Sequence, residues 1–279
     1  MMLRSLPAPL LSCLLLATVA LPTQAEEGPP PTIAIIIDDM GVHRGPEQRL
    51  IDLPQPLTLS FLPYRRHTRE LAEAGFHSGK EIMLHAPMAN NARMGLGAGG
   101  LDVGMDQVQI RDTLRLSLDS VPYARGVNNH MGSLLTQQRS VMEWVMDELA
   151  EHEVFFVDSR TIASTVAADV AESRNIPTLS RDVFLDHEQN WDYVDAQFRY
   201  LLKQARRHGT AVAIAHPHEV TVSYLEEMLP KLDQMGYATA TISTLWAMRN
   251  QYQPMFLQQE DGQFYLARHH ERRPEETNE

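Results

Sequence analysis

Cysteine is almost absent from this chain: among 279 residues the single one is Cys13. It sits inside the apolar run Leu10 to Leu21, with Arg4 upstream and Thr23-Gln24-Ala25 downstream. That order reads as a secretory signal peptide over residues 1–25, with small-x-small cleavage before the acidic Glu26-Glu27. A lipoprotein reading through Leu10-Leu11-Ser12-Cys13 ranks lower, because the apolar run continues past the cysteine. The mature chain then holds no thiol, which excludes cysteine nucleophiles, thiolate metal ligands and disulfides together. Any metal must be held by His, Asp or Glu. The apolar run is short for a bilayer span, so no stable membrane span is expected after cleavage, and the expected address is periplasmic or secreted.

Positive charge is also scarce. Lys and Arg number 24 against 36 Asp and Glu, a net charge of -12. Nucleic acid is therefore disfavoured as a partner, since phosphate attraction needs a basic face. No G-x-S-x-G elbow surrounds Ser159, which disfavours a serine hydrolase. The glycine-rich stretch Gly95 to Gly100 follows no strand in dinucleotide-binding register and closes with no Lys-Ser/Thr, so it reads as a surface loop.

What is present is organised around one domain. Gly28-Pro29-Pro30-Pro31 closes a Pro-rich linker over residues 26–31. Residues 251–279 turn polar, include His269-His270, and read as a solvated tail. Between them, over residues 32–250, apolar runs alternate with amphipathic stretches. Strands are expected at 33–37, 57–61, 81–84, 126–128, 154–157, 183–185, 211–215 and 237–239. Helices are expected from Arg66 to a stop at Gly75, from Asp106 to Leu118, and over Ser140–Ala150 with a Ser140/Glu143 capping box. Further helices are expected over Ile162–Ser173, over Trp191–His208 closed by Gly209, from about Thr221 to a break near Pro230, and after a Ser243 cap. Seven or eight βα units imply an α/β fold with a parallel sheet, closed or nearly closed into a barrel.

Chemistry-bearing residues follow the strands. Asp38 and Asp39 come after the first, His85 after the third, and Asn128-Asn129-His130 after the fourth. Asp158-Ser159-Arg160 follows the fifth, Asp186 and His187 the sixth, and His216-Pro217-His218 the seventh. In a parallel barrel these ends share one face, where catalytic residues gather. Two adjacent carboxylates repel unless a cation, a proton or donors compensate them. One carboxylate with two imidazoles holds Zn²⁺ or a similar divalent ion with a position left for water. A second carboxylate takes the water's proton, and an imidazole across the site, His216 or His218, protonates a leaving group.

The blocks Ile36-Ile37-Asp38-Asp39, Glu81 to Met88, Gly126-Val127-Asn128-Asn129-His130-Met131-Gly132-Ser133, Phe155 to Thr161 and Ala213 to Pro217 resemble the divergent polysaccharide deacetylase family. This is a branch of the carbohydrate esterase superfamily that removes N- or O-acetyl groups from chitin-like and peptidoglycan glycans. The resemblance runs from Thr32 to about Arg249. It implies a distorted (β/α) barrel and a periplasmic metal-dependent hydrolase whose partner is an acetylated cell-envelope carbohydrate. It assigns Asp38 as catalytic base, Asp39 and His85 as metal ligands, and His216 as general acid. Two departures stand out. The superfamily's second metal histidine falls at Ala89, and its arginine-proline block is replaced by Asn128-Asn129-His130. His130 is the expected third ligand, with Asp158 or Asp186 as fallback. Asn128, Asn129, Asp158, Arg160, Asp186 and His218 are expected to bind substrate. The alternative is a catalytically weak or inactive glycan- or protein-binding domain that keeps the fold.

Overall fold

The computed structural model describes residues 29–250, together with the backbone of a short antiparallel strand pair, Gln258–Glu260 and Gln263–Tyr265. The expected signal peptide, most of the linker and most of the tail lie outside the described residues. Among the described residues, no helix is long and apolar enough to cross a membrane.

The first strand, β1 (Thr32–Met40), organises the sheet. Ile33, Ala34, Ile35, Ile36 and Ile37 are all buried, and each buried isoleucine contributes about 1.5–3 kcal/mol. Alternation divides them. Ile33, Ile35 and Ile37 pack into the larger core beneath the helices, while Ala34 and Ile36 enter a second core on the concave side of the sheet. One edge of β1 pairs with β8 (Thr210–Ala215). The other edge is shared: β9 (Ala238–Ala240) covers Thr32–Ala34, and β2 (Thr58–Phe61) covers the stretch from Ile36 onward.

Beyond β2 the sheet continues through β3 (Glu81–Met88), β4 (Ala124–Met131), β5 (Phe155–Asp158) and β6 (Thr178–Ser180), with β7 (Val183–Phe184) outside β8. All nine strands are parallel to their neighbours. No ladder among the described residues joins β6 to β7, so the (β/α) barrel is a curled sheet left open there. The last helix, α8 (Ile242–Arg249), plugs the concave side with Ile242 and Leu245. Beneath it Glu81 accepts from the Ser243 amide and Thr58 donates to Glu81, sealing the end away from the site.

Several helices follow the sequence reading, and others correct it. α6 (Trp191–His208) ends before Gly209, whose φ of 83° suits a glycine. α3 (Gln107–Ser120) is capped by Asp106. α2 (Thr68–His77) runs through Gly75, which is there for close packing: a Cβ would meet Leu59 and Ile82 at 3.0 and 3.1 Å. α4 (Arg139–Glu151) starts after Gln138 without a side-chain cap, so the Ser140 box does not form. α5 (Ala167–Ser173) begins five residues late, because Thr165 turns its hydroxyl to Asp158. α8 is capped by Thr241 rather than Ser243. α7 (Glu219–Met228) passes into a 3₁₀ turn at Leu229–Lys231 around Pro230. α1 (Arg44–Asp52) and β6 were not anticipated from the sequence.

Candidate metal centre and its acid–base pair

The two aspartates lie inside β1 rather than past its end, and a bulge explains how both serve one site. Ile37 pairs with Leu59 and Met40 with Phe61, so three steps on β1 match two on β2. Asp39 sits in the extra step with φ 59°. In a regular strand neighbouring side chains point to opposite faces, and a bulge breaks that rule. Asp38 Oδ2 and Asp39 Oδ1 consequently lie 3.5 and 3.4 Å from the same atom, His85 Nε2.

The loop after the bulge is clamped by Glu47, whose carboxylate accepts from the amides of Gly41, Val42 and His43. Sequence reasoning missed Glu47 because its partners are backbone groups.

His85 and His130 stand on paired strands, with His85 opposite Asn128 and Pro87 opposite His130. Asp39 Oδ1, His85 Nε2 and His130 Nδ1 form a triangle with sides of 3.4, 3.2 and 2.9 Å. Two ligand atoms on a tetrahedral zinc stand about 3.4 Å apart, given zinc–ligand bonds of about 2.1 Å. Asp39 Oδ1 is buried, yet neither of its contacts with the two imidazoles has hydrogen-bond geometry. An oxygen left unsatisfied beside two converging imidazoles suits a cation. These residues therefore fit a divalent metal, with His130 as the second imidazole of the group. Ala89 is buried and offers no ligand.

Asn128 organises the layer beneath. It is fully buried, donates to Asp38 Oδ1 at 2.8 Å, and accepts from Ser60 Oγ at 2.6 Å and His85 Nδ1 at 2.7 Å. An amide oxygen only accepts, so Nδ1 of His85 carries the proton and Nε2 faces the aspartates.

The electrostatics separate the two carboxylates. Burial pushes Asp38 above the ordinary carboxylate value, although His85, His216 and Asn128 pull the other way. Burial also pushes Asp39 up, but contacts with His130 and His85 hold it well below that value. His85 is driven down by burial and raised overall by both aspartates.

Across the site His216 Nε2 lies 3.9 Å from Asp39 Oδ2. Its Nδ1 meets Asp186 Oδ1 at 3.0 Å, while Asp186 Oδ2 accepts from the His216 amide and from Thr221. Burial lowers His216, yet Asp186 more than reverses this and raises it to about 9. His218 stacks on His216 at 5.6 Å and sits 3.1 Å from Gln189.

Four expected substrate contacts do not fit their positions. Asn128 is spent on His85, Asp38 and Ser60. Asn129 is fully buried and holds the Met131 carbonyl and the Ser159 amide. Asp158, nearly fully buried, receives the Arg160 amide and the Thr165 hydroxyl. Asp186 is buried behind His216. The same positions leave Asp158 and Asp186 out of the ligand triangle. Arg160 is exposed and His218 half-buried, so both can meet a ligand.

Residues 35–246 match the family model described as divergent polysaccharide deacetylase. The protein is similar to the uncharacterized protein YibQ of Escherichia coli (strain K12), at 36% identity over 200 residues. That match covers 72% of this chain and 63% of YibQ, so the chain spans less than two thirds of that relative. In fold it is similar to uncharacterized protein ATU2773 from Agrobacterium tumefaciens C58, with a TM-score of 0.75 at 22% identity over 79% of this chain and 91% of that one. It is also similar to the catalytic domain of peptidoglycan N-acetylglucosamine deacetylase from Eubacterium rectale ATCC 33656, with a TM-score of 0.50 at 11% identity over 78% and 91%. Both likenesses concern the fold.

Proposed function

The chain belongs to the divergent polysaccharide deacetylase family, and from that premise we propose that it is a metal-dependent hydrolase that removes acetyl groups from a cell-envelope glycan such as peptidoglycan or a chitin-like oligosaccharide. The signal-like N-terminus supports a periplasmic or secreted address. The reading rests above all on the triangle of Asp39, His85 and His130 around an unsatisfied carboxylate oxygen, with Asp38 beside it.

Asp39, His85 and His130 would hold the metal, most simply Zn²⁺. When bound, it would lower the pKa of water and polarise the acetyl carbonyl. Asp38, raised by burial, takes the proton from the attacking water. Asn128 holds Asp38 in place and keeps Nε2 of His85 turned toward the aspartates. His216 carries a proton at neutral pH because Asp186 stabilises its charge. It gives that proton to the departing amine or hydroxyl of the sugar, and acetate is the other product.

The test is metal analysis of the purified protein together with acetate release from acetylated chito-oligosaccharide and from peptidoglycan. One bound divalent metal and metal-dependent acetate release are expected. A protein that holds its metal and binds glycan but releases no acetate is the binding domain instead.

A further inference from the structure

Two arginines beside the site make no direct ion pair among the described residues. Arg181 follows β6 and is half-buried. Its Nε and Nη2 donate to the carbonyls of Ser159 and Arg160 at 2.7 and 2.9 Å, and its guanidinium lies 5.4 Å from the centre of the Phe184 ring. Phe184 in turn packs against His216 at 5.2 Å. These contacts fix the guanidinium plane next to the acid of the proposed reaction, but carbonyls and a ring do not neutralise it.

The neighbouring carboxylates are committed elsewhere. Asp158 holds the Arg160 amide and Thr165, Asp182 holds the Val212 amide and Arg249, and Asp38 holds Asn128. No described carboxylate forms an ion pair with Arg181 or Arg160. Burial first, and then Arg160, lowers the pKa of Arg181, while the more distant charges of Asp158, Asp38 and Asp182 pull the other way without reversing it. Arg160 is held at φ 47°, a conformation unfavourable for a side chain of its size. Arg160 is exposed and solvated, but Arg181 is half-withdrawn from water with only carbonyls as partners, and an anionic ligand would offset that cost.

We propose that Arg160 and Arg181 form an anion subsite that recognises a carboxylate carried by the sugar chain, so that the preferred substrate is an acidic glycan rather than a neutral one. A planar guanidinium with its orientation fixed matches a carboxylate in two-pronged fashion. This rests on the hydrolase reading for its substrate class, yet it is separable in test.

Binding is measured by calorimetry on the full metal-loaded protein. One probe is a peptidoglycan-derived oligosaccharide bearing muramic acid carboxylates, and the other is the same oligosaccharide with those carboxylates reduced to alcohols. The acidic form is expected to bind about tenfold more tightly, the effect of one charged hydrogen-bonded pair. Arg181→Gln and Arg160→Gln are each expected to reduce that preference toward unity. Arg160→Gln alters an exposed side chain with no internal bond among the described residues, so its result does not depend on the fold tolerating the change. Equal binding of both probes by the wild-type protein, or a preference that survives in both variants, overturns the subsite. If the preference is present while neither probe releases acetate, the subsite stands and the hydrolase reading fails. Acetate release without a preference leaves the hydrolase reading and removes the subsite.

Discussion

Asn128 Oδ1 lies 2.7 Å from His85 Nδ1 and so decides which nitrogen of His85 faces the aspartates. The same amide donates to Asp38 at 2.8 Å, so one buried side chain aligns both His85 and Asp38. Asn128→Ala is expected to lower metal affinity about 10- to 100-fold, as losing a partner that orients a ligand usually does. Competition with a chromophoric chelator reads this directly. Unchanged affinity would mean that something else orients His85.

His130→Ala and Asp39→Ala are each expected to yield protein with little bound metal. Asp38→Asn should keep the metal and lose about 10²- to 10⁴-fold in turnover, the usual loss when a general base is removed. Elemental analysis beside acetate release separates the two outcomes. Full metal content in His130→Ala would place the third ligand elsewhere.

Activity should fall on the alkaline side as His216 deprotonates. Asp186 raises its folded value from the ordinary 6.5 to about 9, against the opposing effect of burial. Stability from this pair is therefore fully present below about 6.5 and is lost as pH rises through about 9. A cation at Asp39 would repel the imidazolium, so variants are compared with the wild type at equal metal loading. Asp186→Asn should shift the alkaline limb of kcat toward 6.5, read from a pH–rate profile. A limb that does not move would remove Asp186 from that role.

Gly126 leaves no room for a side chain, because a Cβ there would stand 2.2 Å from the Phe155 ring. The ring lies against the paired strand at this point, so Gly126→Ala is expected to cost about 1–3 kcal/mol. Thermal unfolding checks this, and a variant as stable as the wild type would show that Phe155 can move aside.

The alternation of apolar runs with amphipathic stretches made the parallel α/β sheet legible, because two-face burial leaves continuous runs such as Ile33 to Ile37. Helix α6 could be read end to end, since its apolar stripe and closing glycine agree. Gly75 misled for a physical reason: glycine marks either a stop or a close approach, and its neighbour across the gap, Ile82, is not adjacent in sequence. Ser140 and Ser243 failed as caps because Gln138 and Thr241 occupy the cap positions instead.

For the site, residue types after the strands drew attention to Asp38, Asp39, His85, His130 and His216, and the family resemblance supplied the roles expected of them. A carboxylate pair and imidazoles following parallel strands must meet at one face, whatever the loops do. Tertiary structure decided where each one points. The bulge at Asp39 turns two consecutive side chains into one site, and pairing of β3 with β4 brings His130 to His85. Burial converts Asn128, Asn129, Asp158 and Asp186 from expected substrate contacts into supports, and only the folded contacts make Arg181 and Glu47 visible. Sequence carries the identity of a donor, but its direction depends on register, backbone angle and the neighbours that consume it. Those are set only when distant strands lie side by side.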